Sequence, residues 1–565
     1  MHIQKRSLRF GLVFFSLIFL LLVFSFRLTL IQIFRSDHLV KLAEKQQNHY
    51  IKLEPVRGTI YDRNMRPLAI NVAVYSLYAN PKIMDKEDKE KAVKELSRLL
   101  DLDQTILQDR LDRPKYFVWL KRKLSSDGTD QIRKLKIKGL DFIKESKRHY
   151  PNKYLASHLI GFAGVDNQGL EGLELLYNKE LSGKAGWVHV LRDARQRELL
   201  LEKSFIPPKD GFNIVLTIDE TIQYIAERAL DEAFEKYHAH GASIIVMNPK
   251  TGEILALANR PTYDLENFRN SIPEQKTDRA IVNVYEPGSV FKIVTLSAAL
   301  EEGIAKETDV FFCENGAYKV GNHILHDHHP YGNLTLKQVI EESSNICTTK
   351  IAQKMGPQTF YKYAKRYRFG MKTGIDIVGE VSGLLKDPSQ WSSTSIGAIP
   401  IGQEVTVTPL QLVAAISSIA DGGVYMKPHV VKYILDNHEE LIKEYQPQVV
   451  DRVISSDTAR RVKDVLVGVV QEGTGRLARV DGLKIAGKTG TAQKVVDGRY
   501  SRSHFCATFI GFAPADDPQL AMVVTFDDPR GSHYGGTVSA PVFKKVLVDS
   551  LKYLEAVDGT KVSWK

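Results

Sequence analysis

The sequence predicts an α+β chain: one N-terminal transmembrane helix, a charged mixed segment, then a domain whose antiparallel sheet carries a helical insert. Three observations predict it. A charge-free apolar run, "FGLVFFSLIFLLLVFSF", fills residues 10–26. β-rich runs around turn signals stand at both ends of the C-terminal part. Between them, apolar residues recur at helical spacing. Strands at both ends of a domain with helices between them describe one sheet with an insert.

The apolar run is just long enough to cross a bilayer at ~1.5 Å per residue. Arg27 can snorkel and extend the span to residue 33. No small-x-small cleavage site follows, so an uncleaved anchor is expected rather than a signal peptide. Lys5, Arg6 and Arg9 precede it without any acid, which favours a short cytoplasmic tail, residues 1–9. Next, "EPVRGTIYDRNMRPLAIN" predicts strand-turn-strand around Asp62-Arg63-Asn64, and "DKEDKEKAVKELSRLLDL" predicts a helix. This segment, residues 34–205, collects no nucleophiles or metal ligands, and a structural or docking role is expected. "FIPPKDGFN" is a linker signal.

Residues 206–557 have a different texture, with 558–565 left as a tail. "GASIIVMNPKTGEILALANRP" is one hairpin; "HFCATFIGFAPADDPQLAMVVTFDD" is a second, turning at Ala515-Asp516-Asp517-Pro518. A last helix is expected from near Ala540. The net charge of +10, from 77 Lys+Arg against 67 Asp+Glu, is mild for 565 residues. Without a long basic run it excludes a nucleic-acid partner and suits a membrane surface. Three widely spaced cysteines, Cys313, Cys347 and Cys506, allow at most one disulfide and no metal cage.

Chemistry gathers around "YEPGSVFKIVTLSAALEEG", residues 285–303. Ser289 stands as an N-cap would, but the residue three on is Lys292 where Glu or Gln is usual. A positive charge there opposes the helix dipole. The residues that follow are apolar nearly all round, which predicts burial. Burial and dipole both push the lysine toward its neutral form, giving a general base one turn from a serine nucleophile. Free N–H groups at the helix start offer an oxyanion site. A plain cap with a snorkelling lysine is the competing reading.

Two further stretches bear on it. "TLKQVIEESSNICTTKIAQKMG" predicts helix, break, helix, with a Thr335–Gln338 capping box and Ser343-Ser344-Asn345 at the break. A turn stabilised by Ser and Asn side chains is the alternative there. "GLKIAGKTGTAQKVV" predicts strand through Leu483, Ile485 and the run after Gly490, with glycines where a backbone approaches a ligand. Lys488 supplies a cation for a substrate carboxylate, Thr489 a hydroxyl, and the Thr491 N–H a second oxyanion donor. Residues 482–489 also match the phosphate-loop pattern G-x-x-x-x-G-K-T, but the middle residues suggest strand and no helix follows. A second Lys-Thr-Gly, Lys372 to Gly374, follows a helix directly and is a poor strand-edge candidate. "HILHDHHPYG", with four histidines around Asp327, matches no common zinc spacing and is expected to be a polar loop.

The order S-x-x-K, S-x-N, K-T-G resembles the signature of penicillin-binding proteins and related β-lactamases. "SVFK", "SSN" and "KTGT" stand in that order, and nearly the whole chain resembles the class B penicillin-binding proteins. "RGTIYDRNMRPLA" and "RHYPNKYLASHLIGFAGVDNQGLEGLE" are similar to that class's membrane-proximal motif and elongated pedestal domain. "YEPGSVFK" and "DDPRGSHYGGTVSAPVF" are more like its division (FtsI-like) branch than its elongation branch.

The resemblance implies a serine-type D,D-transpeptidase that cross-links peptidoglycan, needs no cofactor, and is acylated by β-lactams. It implies that Ser289 attacks the D-Ala-D-Ala stem peptide and Lys292 takes its proton. Ser343 relays a proton to the leaving amine, and Asn345 holds the substrate backbone. Lys488 and Thr489 take the terminal carboxylate, with Gly490 and Thr491 completing the strand edge. Cys347, two residues past Asn345, departs from the pattern and is assigned packing. The implied partners are a membrane-embedded glycosyltransferase of the FtsW/RodA type and divisome proteins, with the bulk of the chain outside the cytoplasmic membrane. An elongation-type enzyme, a carboxypeptidase or β-lactamase-like hydrolase, and a non-catalytic scaffold are the alternatives.

Overall fold

The computed structural model describes residues 2–37, 48–192 and 198–559. The chain falls into two compact units: residues 1–56 with 183–210, and residues 57–182 with 211–565. In the first, a helix His2–Thr29 continues as a π turn through Phe34, and Phe10–Phe34 is long and apolar enough to cross a membrane. The same unit holds a three-stranded antiparallel sheet of Asn48–Leu53, Gly186–Arg192 and Glu198–Ile206.

The second unit begins with the strand-turn-strand expected around Asp62-Arg63-Asn64, formed by Ile60–Tyr61 and Pro67–Ala79. Asp62 holds the turn by accepting from the Asn64 and Arg66 amides, and its other oxygen accepts from the Glu220 amide. The turn is thereby fixed to the start of the helix Glu220–Tyr237. The expected helix forms as Lys86–Leu100, capped by Asp85.

Arg57, in the same motif, is buried with Glu174 and Arg148. Arg57 Nε and Arg148 Nε each donate to a different oxygen of Glu174, at 2.7 and 2.6 Å. Burial pushes the Arg57 guanidinium below its ordinary value, with Glu174 pulling the other way. One carboxylate thus bridges two buried cations. Glu174→Gln leaves both facing each other, and the expected loss is ~3–5 kcal/mol in denaturant unfolding. A loss under ~1 kcal/mol would show that water already reaches the pair.

The remainder is built on a five-stranded antiparallel sheet. Its strands are β1 (Gly241–Met247), β2 (Ile254–Arg260), β3 (Ala486–Val496), β4 (Arg499–Ala513) and β5 (Leu520–Asp527), in the order β2-β1-β5-β4-β3. Both sequence-predicted hairpins are present, β1-β2 and β4-β5. Strand β3 begins at Ala486, so Leu483 and Ile485, expected in it, precede it, Leu483 in a short turn bridged to Val480. Both are buried, so an apolar alternation here reflects core packing rather than ladder bonds.

The helices between the hairpins include α1 (Lys292–Glu301), α2 (Leu336–Glu341), α3 (Asn345–Met355), α4 (Pro409–Ala420) and α5 (Ser456–Gln471). The Thr335–Gln338 capping box is present at α2, and α3 ends at Gly356. Every residue of α1 from Lys292 to Leu300 is buried, as its all-round apolar sequence requires. The final helix, α6 (Gly535–Asp558), starts five residues before the position expected. A Cβ on Gly535 would lie 2.2 Å from the Gly490 carbonyl oxygen, so the paired glycines let the helix begin against the sheet.

Candidate active site

The start of α1 is not the plain side-chain cap that stood as the competing reading at Ser289. The chain turns one residue earlier, in a 3₁₀ segment Gly288–Phe291 that leads into α1. In a 3₁₀ turn residues i and i+3 eclipse, so Ser289 and Lys292 share one line along the turn. The tight entry depends on bare backbone. Gly288 has φ +58°, its Cβ would meet the Thr491 carbonyl at 3.0 Å, and a Cβ on Gly490 would meet the Pro287 carbonyl at 2.8 Å. Strand β3 therefore lies directly against the turn that carries Ser289.

Lys292 is fully buried. Its Nζ donates to the Ser343 carbonyl, to Ser343 Oγ at 3.1 Å and to Asn345 Oδ1 at 2.8 Å. The amine thus bonds across to the Ser-Ser-Asn break, and Ser289 faces the cleft. Lys488, also fully buried, approaches from β3 and donates to Ser343 Oγ at 3.0 Å. Two lysines converge on one hydroxyl. Ser343 holds a left-handed backbone, φ +58°, a strained conformation for a residue with a Cβ. Burial first, and then the Lys488 charge, push Lys292 well below the ordinary lysine value; Asp327 pulls weakly upward. Burial pushes Lys488 down to about 7.

Alternation along β3 separates its motif residues. Thr489 and Thr491 line the cleft, whereas Lys488 and Gly490 turn toward the start of α1. Lys488, expected to supply a cation for a substrate carboxylate, hydrogen-bonds its amine to Ser343 Oγ and the Thr489 carbonyl. Thr489 Oγ1 pairs with Thr474 Oγ1 at 2.8 Å, and Thr491 Oγ1 accepts from the Gly535 amide. The cleft encloses about 810 Å³ and is lined by Ser289, Ser343, Asn345, Thr474, Thr489 and Thr491, with His328, Phe505, His533 and Tyr534 among its walls.

Three features escaped the sequence reading. Asp327 accepts from Ser344 Oγ at 2.6 Å and from the Ile346 amide, placing a carboxylate at the positive end of α3. Its signal was faint: an acid in a polar loop, seventeen residues from its partner. Thr474, on the loop before β3, has no motif at all. Cys347 is joined to Cys313, with Cα atoms 5.1 Å apart. The packing role assigned to Cys347 is corrected to a covalent one, because the loop carrying Cys313 folds back onto α3. The decoys also resolve. β3 begins inside the phosphate-loop pattern, at Ala486, and continues as strand past Thr489, so no helix follows. The second Lys-Thr-Gly lies in a loop where Thr373 bonds to Glu380, and Lys372 is exposed.

The penicillin-binding protein transpeptidase domain matches residues 242–548, and the penicillin-binding protein dimerisation domain matches residues 52–216. Stage V sporulation protein D of Bacillus subtilis is 36% identical over 97% of this chain and 86% of its own. The peptidoglycan D,D-transpeptidase FtsI of Escherichia coli is 33% identical over 97% and 92%. Among solved structures, penicillin-binding protein 3 of Mycobacterium tuberculosis complexed with aztreonam superposes with a TM-score of 0.71, at 27% identity over 91% of this chain and 98% of that one. The fold and cleft define a transpeptidase domain that follows a dimerisation domain in the chain. The chain belongs to the class B penicillin-binding proteins, the serine-type peptidoglycan D,D-transpeptidases.

Proposed function

We propose that this transpeptidase cross-links stem peptides at the division septum through an ester on Ser289. The observation that carries the chemistry is the convergence of Lys292 and Lys488 on Ser343 Oγ beside the cleft-facing Ser289. Neutral Lys292 takes the hydroxyl proton as Ser289 Oγ bonds to the penultimate D-Ala carbonyl. The oxyanion is held by the amides of Ser289 and Thr491. The proton passes through Ser343 to the leaving nitrogen, and D-Ala departs. Asn345 holds the donor backbone; Thr489 meets the terminal carboxylate, with the Lys488 charge behind it. β-Lactams enter the same path as donor mimics.

Support for septal duty is the likeness of "YEPGSVFK" and "DDPRGSHYGGTVSAPVF" to the division branch, together with the FtsI relative. The relative named for sporulation is as similar. The proposed organisation is a tail 1–9, an anchor 10–33, a pedestal 34–205, a transpeptidase domain 206–557 and a tail 558–565. The anchor is single-pass, with the bulk of the chain outside the cytoplasmic membrane. The proposed partners are an FtsW/RodA-type polymerase and divisome proteins.

Purified enzyme given donor stem peptide and an amine-bearing stem is expected to yield cross-linked dimer. Hydrolysis alone would end the transpeptidase reading. A fluorescent fusion is expected at the septum; uniform sidewall signal would favour elongation. Lys488→Ala is expected to slow penicillin acylation ~100-fold, whereas Lys372→Ala, in its exposed loop, changes it by less than ~2-fold. The reverse ranking would move the carboxylate site.

A further inference from the structure

Glu342 immediately precedes Ser343 and lines the same cleft as Ser289. Among the described residues that line the cleft it alone carries a carboxylate; the other ionisable groups there are Arg476, His328, His533 and Tyr534. It is exposed and forms no ion pair among the described residues. Yet it is not loose. Tyr331 donates its hydroxyl to Glu342 Oε2 at 3.0 Å, and the Tyr331 ring is itself packed edge-on against His329. Among the described residues no hydrogen bond reaches Glu342 Oε1. The loop before β3 is tied to the backbone just ahead of Glu342, where the Thr474 amide donates to the Glu341 carbonyl at 3.2 Å. A held carboxylate without an ion pair, in the same cleft as the nucleophile, does not suit formation of the acyl-enzyme, whose developing charge is negative.

We infer that Glu342, positioned by Tyr331, is the subsite for the acceptor: it draws in the alkylammonium of the second stem peptide. The inference rests on the transpeptidase reading and deepens it. The ammonium docks on Glu342 Oε1 and loses one proton to water. The resulting amine attacks the Ser289 ester. As the C–N bond forms, the second proton passes to Lys292, and as the C–Oγ bond breaks it returns to Ser289. The products are an amide and the free serine. Tyr331 is a positioning residue; Glu342 touches the acceptor.

The test uses the full chain acylated by a stem-peptide donor, with two nucleophiles offered in turn. One is a stem peptide with a free side-chain amine, charged at neutral pH. The other is hydroxylamine, uncharged at that pH. Glu342→Gln is expected to raise KM for the stem amine ~10-fold with kcat nearly kept, as loss of one charge-assisted hydrogen bond implies. Hydroxylamine capture, counted per acyl-enzyme formed, is expected to stay level. Tyr331→Phe is expected to raise the stem-amine KM by a smaller factor. An unchanged KM in Glu342→Gln, or an equal change for both nucleophiles, overturns the subsite. A parent enzyme that is acylated by penicillin but forms no amide with the stem amine overturns the transpeptidase reading, and the subsite falls with it.

Discussion

Ser289→Ala is expected to abolish covalent labelling by fluorescent penicillin, with intact mass showing no adduct at any incubation time. The expectation follows from the cleft. Ser289 is the hydroxyl that faces it from the tight turn at the start of α1, while the neighbouring lysine directs its hydrogen bonds to Ser343 and Asn345. Removing one half-exposed oxygen leaves those bonds in place, so unfolding stability should stay within ~0.5 kcal/mol of the parent. Retained labelling would place the nucleophile elsewhere.

Lys292→Arg is expected to lower acylation ~10²–10⁴-fold, the range that a positioned base supplies. A guanidinium stays charged across the usable pH range and cannot take a proton. The buried pocket also has to admit a larger, permanently charged head beside Lys488, so the variant should lose stability as well. Lys292→Met separates the two effects: it removes the base and the repulsion together, and is expected to be equally slow but no less stable. The sign with pH follows from the direction of the shift. Below the lowered Lys292 value the amine is protonated and idle. Acylation of the parent should therefore climb as pH rises through that value, well under the ordinary lysine range, and fall again above about 7 as Lys488 loses its charge. A climb only near pH 10 would mean that the lysine is not desolvated in solution.

Much of the site was legible because its parts are local. The Thr335–Gln338 box, the glycine after α3 and the two hairpins each depend on residues within a few positions of one another. The mismatch of Ser289 with Lys292 was legible for the same reason: a helix start has known preferences, and a lysine three residues on violates them. The details that failed were those set by packing. The 3₁₀ entry ahead of Ser289 exists because β3 presses on Gly288, and the early start of α6 exists because Gly535 fits under Gly490.

By itself the sequence determined the apolar span, the hairpins, the order of the three motifs and the chemistry that they are able to perform. Only the tertiary structure decided that Lys292 and Lys488, 196 positions apart by their numbers, end on the same Ser343 oxygen. It also decided which Lys-Thr-Gly lies against the nucleophile, that Asp327 caps α3, and that Cys313 bonds to Cys347. The physical reason is the range of the forces. Turn chemistry and helix capping act between neighbours in the chain. Desolvation and charge coupling act between neighbours in space, and these set the protonation of both lysines.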